Sequence, residues 1–226
     1  MGVFALWRWQ ALFADRSIFI QGFERTVVAS GLALGLALLL GLVFGVIAVA
    51  PWSPLRWLNR VYVEAIQNTP LPVQVLFLYY GLPYFGFSPS VFSLGVFGLG
   101  VYHGAYVAEA VRAGINAVPR GQLEAAYSQG FNYTGAMRHV VLPQAARVVL
   151  PPLTNQALAL VKNSAVLAMI AGLDLMYYAD SWASDKLHYG PAYLVAWALY
   201  MVLTLPLAWL TTWLETRLHG GRQGVA

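Results

Sequence analysis

Five long stretches of the chain are almost entirely apolar and lack the regularly spaced polar positions of a half-buried helix or strand. Each is about 20 residues long, the length that a helix needs to cross a hydrocarbon core of about 30 Å. The pattern predicts five transmembrane helices, at about residues 26–50, 61–83, 91–111, 148–173 and 191–214. The charged residues inside these stretches are Glu64, Glu109 and Lys162.

The composition agrees with a membrane protein and argues against the soluble classes. Of 226 residues, 59% are hydrophobic and 10% are charged, whereas soluble domains have about 25% charged residues. The absence of cysteine excludes a disulfide scaffold and a thiolate metal site. Asp15, Arg16, Glu24 and Arg25 precede the first apolar block, a pattern that predicts no cleaved signal peptide.

The basic residues predict the orientation of the chain in the membrane. Eight of the 13 follow the first, third and fifth predicted spans: Arg56, Arg60, Arg112, Arg120, Arg138, Arg147, Arg217 and Arg222. The excess of positive charge on cytoplasmic loops places these regions inside, the N-terminus outside and the C-terminus in the cytoplasm. We expect Trp182, Tyr189 and Tyr193 to lie at the outer interface. The net charge of +4 thus reflects topology rather than nucleic-acid binding.

The loop between the third and fourth spans, residues 118–143, is too long and too regular for a passive turn. Pro119 suits the first turn of a short helix, and Gly130 suits its end because glycine tolerates a positive φ. Thr134 is expected to cap a second short helix, and Pro143 to begin the fourth span. The sequence therefore predicts two short cytoplasmic helices joined at an elbow.

The loop carries the spacing Glu124-Ala125-Ala126, three residues, Gly130, nine residues, Val140, one residue, then Leu142-Pro143. Six of these identities would coincide by chance less than about once in a million starts. This pattern resembles the EAA loop of the inner-membrane permease subunits of ABC importers. A family member is an all-α integral membrane protein of five transmembrane helices with a cytoplasmic coupling loop, the type I importer fold.

The resemblance implies that the loop docks into a groove of a cytoplasmic ATPase subunit. Glu124 would meet basic groups of that partner, and Ala125, Ala126 and Gly130 would allow a close fit, so that Gly130→Asp or Ala126→Arg would stop transport without preventing insertion. The coupling residues implied are Arg120, Gly121, Gln122, Glu124, Ala125, Ala126, Gly130, Leu142 and Pro143. Since neither lysine follows a glycine, the chain has no P-loop. ATP and Mg²⁺ would be bound by the partner, and this chain is expected to hold no cofactor.

Further stretches are similar to importers of polar amino acids, of the histidine, glutamate, glutamine and arginine type. They include residues 67–74 (QNTPLPVQ), 106–109 (YVAE), 112–115 (RAGI) and 162–164 (KNS). The likeness extends from about residue 20 to 215. It implies a single permease domain over 1–226, paired with a second copy or a paralogue in the bacterial inner membrane and served by an extracytoplasmic amino-acid-binding protein.

Two polar clusters interrupt the predicted spans and are candidates for the substrate path. Such groups avoid lipid, and a charge at a helix centre costs at least about 2.5 kcal/mol. The candidates are Gln67, Asn68, Thr69, Lys162, Asn163 and Ser164. Many relatives have an aspartate where this chain has Asn163, and a neutral amide beside a lysine favours glutamate or aspartate over a basic amino acid. Import of basic or other polar amino acids remains the alternative.

Structural roles compete with these assignments. Glu64 is expected to pair with Arg60, and Glu109 with Arg112, each within one helix. Lys162 could extend to the interface or pair with Glu109. His103 is expected to be a packed polar residue rather than a metal ligand. A passive channel or secondary transporter would need no docking loop, and the common hydrolase motifs are absent, so we expect a transport subunit and not an enzyme.

Overall fold

The computed structural model of the chain describes residues 5–219, and the elements in this range are helical. The α-helices are α1 (Leu6–Ala14), α2 (Arg16–Ile47), α3 (Ser53–Gln67), α4 (Leu71–Gly81), α5 (Val91–Asn116), α6 (Arg120–Ser128), α7 (Tyr133–Ala136), α8 (Leu142–Asn163), α9 (Leu175–Lys186) and α10 (Tyr189–His219). A π-helical turn occupies Met137–Val141, and 3₁₀ turns occupy Leu82–Phe85 and Ser164–Ile170. Arg222 lies outside the described residues.

Three helices of the described chain, α2, α5 and α10, are long and apolar enough to cross a membrane. A fourth candidate is broken: the helical run Tyr133–Ile170 is followed by α9 at a bend of 47°. The surface of α10 is largely apolar and exposed, including Trp197 and Trp209, as expected of a helix that contacts lipid. The predicted first, third and fifth spans therefore match long helices, while five crossings remain a prediction.

The second predicted span is divided between α3 and α4. Helix α3 ends at Gln67, and α4 begins at Leu71 behind Pro70. Proline has no N–H to donate and disfavours helical backbone in the residue before it. The break therefore occurs where the sequence places three polar residues followed by a proline.

The described chain forms two compact units, and α2, α5 and α10 each contribute to both. The first unit comprises residues up to 36, 69–100 and 158–206. Its core joins α1, the start of α2, α9 and the start of α10. Trp182 is buried in this core and donates its Nε1–H to Asp15 Oδ2 over 2.9 Å, and its position at the outer interface stays a prediction. An indole N–H needs a partner when it is buried, and Asp15 satisfies it.

The second unit comprises residues 37–68, 101–157 and those from 207 on. In it α2 and α5 approach closely, because a Cβ atom at Gly41 would lie 2.1 Å from Val107 Cγ1 and one at Gly45 would lie 2.5 Å from Val111 Cβ. Small residues spaced by four let helix backbones pack closely in membranes. Val107 and Val111 at this crossing belong to a hydrophobic core that also includes residues of the predicted coupling loop.

Candidate functional site

The predicted coupling loop forms a short helix, a turn and a second short helix. Helix α6 begins after Pro119, which has the extended φ and ψ of an N-cap. Gly130 has a φ of +87°, as expected for a glycine that ends a helix. The cap of α7 is Asn132, whose Oδ1 accepts from the Gly135 N–H at 2.8 Å, so the prediction that Thr134 is the cap is wrong. Both residue types make good caps, and the turn after Gly130 brings Asn132 into position.

Helix α6 has one exposed face and one packed face. Glu124 and Ala125 are exposed, as are the Arg120, Gly121 and Gln122 positions before them. Ala126, by contrast, is only 3% exposed and packs into its own protein. The expectation that Ala126 provides a close fit to a partner is therefore wrong, because the helical rotation turns its side chain inward.

Two aromatic residues that the sequence prediction passed over share the exposed surface of the loop. Tyr127 and Phe131 are 44% and 38% exposed and flank the turn at Gly130. Aromatic residues are enriched in the cores of protein interfaces. Their position inside the signature spacing was the signal that could have identified them.

The base of the loop is fixed to the permease helices. Tyr133 donates its hydroxyl to the carbonyl of Val49, just beyond α2, over 3.0 Å. Leu123 and Tyr133 pack against the core formed by α5, the π turn and α8. A displacement of the loop would therefore act directly on the end of α2.

The π turn lies immediately before Leu142 and Pro143. The Leu142 N–H donates to the Met137 carbonyl five residues back, and Pro143 has no N–H with which to continue an ordinary α-helical ladder. Pro143 consequently lies in the first turn of α8, directly after the π turn, and does not break the helix. Leu142 is half-buried and Pro143 is exposed.

In the second unit, the structure places two of the six substrate candidates at the end of α3. Asn68 Nδ2 donates to the Glu64 carbonyl over 2.8 Å and so closes its own helix end. Gln67 Nε2 contacts the Ala105 carbonyl of α5 at 3.5 Å. Gln67 also lines a polar cleft of about 440 Å³ between α3 and α5.

The other four candidates belong to the first unit. Lys162, Asn163 and Ser164 lie together where α8 changes to the 3₁₀ turn, and α4, which begins two residues after Thr69, packs against this turn. Ser164 is fully buried and donates to the Val161 carbonyl over 2.8 Å. Lys162 is exposed and lines a cleft of about 470 Å³.

The hydroxyl and carboxyl groups near that cleft come from α10 and from the start of α9. Tyr200 and Thr204 line it together with Lys162. The Tyr200 hydroxyl contacts Asp174 Oδ2 at 3.5 Å. The cleft thus combines one cation with hydroxyl groups and an apolar wall, and it has the mixed lining typical of small-molecule sites.

The two predicted intrahelical ion pairs are present. Arg60 Nε lies 3.8 Å from Glu64 Oε1. Arg112 contacts both carboxylate oxygens of Glu109, with Nε donating to Oε2 over 2.9 Å. His103 is buried and its Nδ1 lies 3.1 Å from Gln156 Oε1, so it is a packed polar residue in this structure.

Comparison with known proteins assigns the chain to a transport family. The family described as "binding-protein-dependent transport system inner membrane component" matches residues 19–220. A probable glutamine ABC transporter permease of Bacillus subtilis (strain 168) is 45% identical over 92% of this chain and 96% of that protein. An arginine transport system permease of the same organism is 33% identical over 78% of this chain and 81% of that protein.

A solved structure supports the same assignment. The crystal structure of an amino acid ABC transporter with histidines has a chain with a TM-score of 0.85 and 36% identity, covering 92% of this chain and 97% of its own. The proteins to which the chain is similar are membrane transport subunits, not enzymes. The chain therefore belongs to the binding-protein-dependent transport system inner membrane component family and is an amino-acid ABC transporter permease of the bacterial inner membrane.

Proposed function

We propose that this permease imports a neutral polar amino acid of the glutamine type and is driven by a separate ATPase that docks on the exposed face of α6. The substrate assignment is supported chiefly by Lys162 and Asn163 at the end of α8, where a cation lies beside a neutral amide in the sequence. Lys162 would attract the substrate carboxylate, and an amide can both donate to and accept from a side-chain amide. The sequence prediction favoured glutamate or aspartate. None of the relatives reported above is described as a transporter of these acids, whereas one is described as a probable glutamine permease.

The coupling role is supported by the shape of the loop. Glu124, Ala125, Tyr127 and Phe131 present an exposed surface with a carboxylate, a small residue and two aromatic rings. A groove on a partner with basic groups at its edge would complement this surface in charge and in shape. Mg-ATP is bound by that partner in this proposal, and the chain itself holds no cofactor.

The proposed assembly contains a second permease copy or a paralogue and an extracytoplasmic amino-acid-binding protein. The loop face is cytoplasmic, the N-terminus is outside and the C-terminus is inside, as the arrangement of arginines favours. ATP binding by the ATPase that docks on the loop biases a helix bundle that opens to one side of the membrane or the other. All of residues 1–226 act as one permease domain in this scheme.

Uptake by vesicles that contain the permease and its ATPase tests the substrate assignment. With the binding protein supplied outside and ATP inside, labelled glutamine should accumulate and excess arginine should compete poorly. Asn163→Asp adds a carboxylate and should shift the preference toward arginine by about tenfold, or about 1.4 kcal/mol. Asn116→Asp, at the exposed end of α5, is the matched control. ATP-driven uptake of arginine in preference to glutamine by the unaltered protein would contradict the assignment.

A further inference from the structure

The polar cleft of the second unit has the features of a binding site in its own right. It has a volume of about 440 Å³, and its walls are α3, α5 and Ala48, the first residue after α2. The polar side chains that line it include those of Asn59, Arg60, Glu64, Gln67, Glu109 and Arg112. Its ion pairs are exposed, so the cleft is open to a polar solute.

Asn59 indicates what that occupant must supply. The residue is 6% exposed, and its Oδ1 has no hydrogen-bond partner among the described residues. A buried carbonyl oxygen without a donor costs free energy, and such groups are rare in folded proteins. This oxygen is buried beside the cleft, so an N–H or O–H group in the cleft would reach it once the Asn59 side chain rotates, and a positively charged donor would satisfy it best.

The charges of the cleft complement a zwitterion. The pairs Arg60–Glu64 and Arg112–Glu109 place a guanidinium and a carboxylate side by side on each wall. The Arg60–Glu64 pair is loose and well exposed, so both groups can accept new partners. Guanidinium groups bind carboxylates, and an ammonium group would meet the two glutamates and the Asn59 oxygen. A free α-amino acid carries both groups on adjacent atoms.

The position of the cleft links it to the coupling loop. Between Arg56 and Gln67 it follows α3 over twelve residues, a rise of about 16 Å. Arg56 is fixed at the far end by hydrogen bonds from Nη1 to the carbonyls of Ala50 and Pro51 at 2.9 and 2.8 Å. Ala48 borders the cleft, and its neighbour Val49 accepts the hydrogen bond from Tyr133 of the loop.

We propose that this cleft is a second amino-acid site, on the coupling-loop side of the permease, that holds the transported amino acid before its release. The inference rests on the proposed function and adds a location for the last step of transport. Asn59 and the glutamates bind the ammonium group, and Arg60 and Arg112 bind the carboxylate. Cytoplasmic amino acid enters the same site and slows further import, because an occupied release site cannot accept the next molecule.

The test measures inhibition of uptake by internal amino acid in vesicles that contain the permease and its ATPase. Vesicles are loaded with ATP and increasing concentrations of glutamine, and initial uptake of labelled glutamine is compared with the uninhibited rate of the same variant. Internal glutamine should slow the unaltered protein. In Asn59→Leu, which removes the acceptor, the half-inhibiting concentration should rise about tenfold. Asn59→Asp, which keeps an acceptor, should retain inhibition.

Two further variants guard against a simple folding defect. Arg60→Gln alters an exposed side chain and should also raise the half-inhibiting concentration by about tenfold. Asp185→Asn removes a carboxylate from an exposed pair with Lys186 in the first unit and should leave inhibition unchanged. Uptake that internal glutamine does not slow, or equal inhibition of Asn59→Leu, Arg60→Gln and the unaltered protein, overturns the site.

The remaining outcomes distinguish an amino-acid site from a lipid head-group site and from a failure of the proposed function. Absence of ATP-driven uptake of any amino acid overturns the proposed function and, with it, this site. If another amino acid is taken up, that amino acid replaces glutamine inside the vesicles. A lipid phosphoethanolamine head group has the same pair of charges. If it is the occupant, Asn59→Leu will change uptake only in vesicles with that lipid and internal amino acid will have no effect, a result that contradicts the proposal.

Discussion

Two neighbouring alanines in α6 have opposite surroundings, and the difference decides what each can do. Ala125 is exposed, whereas Ala126 is buried within its own protein. A large cation at position 125 would obstruct a docking partner without disturbing the permease. The same cation at position 126 would have to displace packed atoms of its own protein.

We therefore expect Ala125→Arg and Ala126→Arg to fail in different ways. Ala125→Arg should keep its thermal stability in detergent and lose about tenfold or more in transport-coupled ATP hydrolysis. Ala126→Arg should lose about 1–3 kcal/mol of stability through overpacking. Thermal unfolding and hydrolysis measured on the same preparations check both results. Equal loss of stability in the two variants would show that the assigned faces of α6 are wrong.

A second prediction at this level concerns Thr26, which is fully buried in α2. Its Oγ1 accepts from the N–H of Leu175 at the start of α9 over 2.9 Å. Thr26→Val keeps the shape and leaves that N–H without this acceptor, so we expect a loss of about 1–3 kcal/mol. The control is Thr212→Val, whose exposed hydroxyl only bonds back to the Ala208 carbonyl. If thermal unfolding gives the same midpoint for both variants, the bond does not stabilise α9.

Sequence reasoning identified the residues of the loop better than their orientation. The spacing pointed to Glu124 and to the positive φ of Gly130, and the i+3 and i+4 spacing predicted the two ion pairs. It could not distinguish the faces of a nine-residue helix made largely of small and polar residues. It also could not choose between Asn132 and Thr134 as a cap, since that choice depends on the turn geometry.

Among the helices, the breaks were easier to predict than the ends. Pro70 and the polar residues around it marked the division of α3 from α4, and Lys162 and Asn163 marked the end of α8. Helix α2 begins at Arg16, ten residues before the predicted start at Thr26. The prediction followed the uncharged block, but Glu24 and Arg25 are exposed on the same helix and do not end it.

The close crossing of α2 and α5 was missed because α2 was interpreted as a uniformly apolar span. Gly41 and Gly45 have the spacing that brings helices together, and both face valines of α5. Gly41→Ala should cost about 1–3 kcal/mol, since its Cβ would overlap Val107. Gly41→Ala combined with Val107→Ala should recover part of that loss.

The matched control for this crossing is Gly31→Ala, in the same helix. A Cβ atom there meets nothing within 4 Å, so the change should be neutral or slightly stabilising. Unfolding in detergent, followed for all three variants, separates helix propensity from packing. A double variant less stable than Gly41→Ala alone would contradict the proposed contact.

At the scale of the whole transporter, ATP-driven transport depends on a coupling loop that faces the cytoplasm and is covered by the ATPase subunit. Membrane class, family and loop were predictable from the sequence because lipid imposes long apolar runs and the docking loop has fixed spacing. The polar cleft was not predictable, since its walls come from α3 and α5, which are far apart in the sequence. The unpartnered oxygen of Asn59 becomes visible only when those walls are assembled.

The exposed Ser128 at the end of α6 offers a direct probe of the loop, because the sequence has no cysteine. Ser128→Cys can be labelled with a membrane-impermeant maleimide in right-side-out and inverted membrane vesicles, with and without the ATPase subunit. We expect labelling from the cytoplasmic side alone and protection when the ATPase is bound. Labelling from the outer side, or labelling from the cytoplasm that the bound ATPase does not reduce, would contradict a loop that transmits ATP-driven motion to the permease.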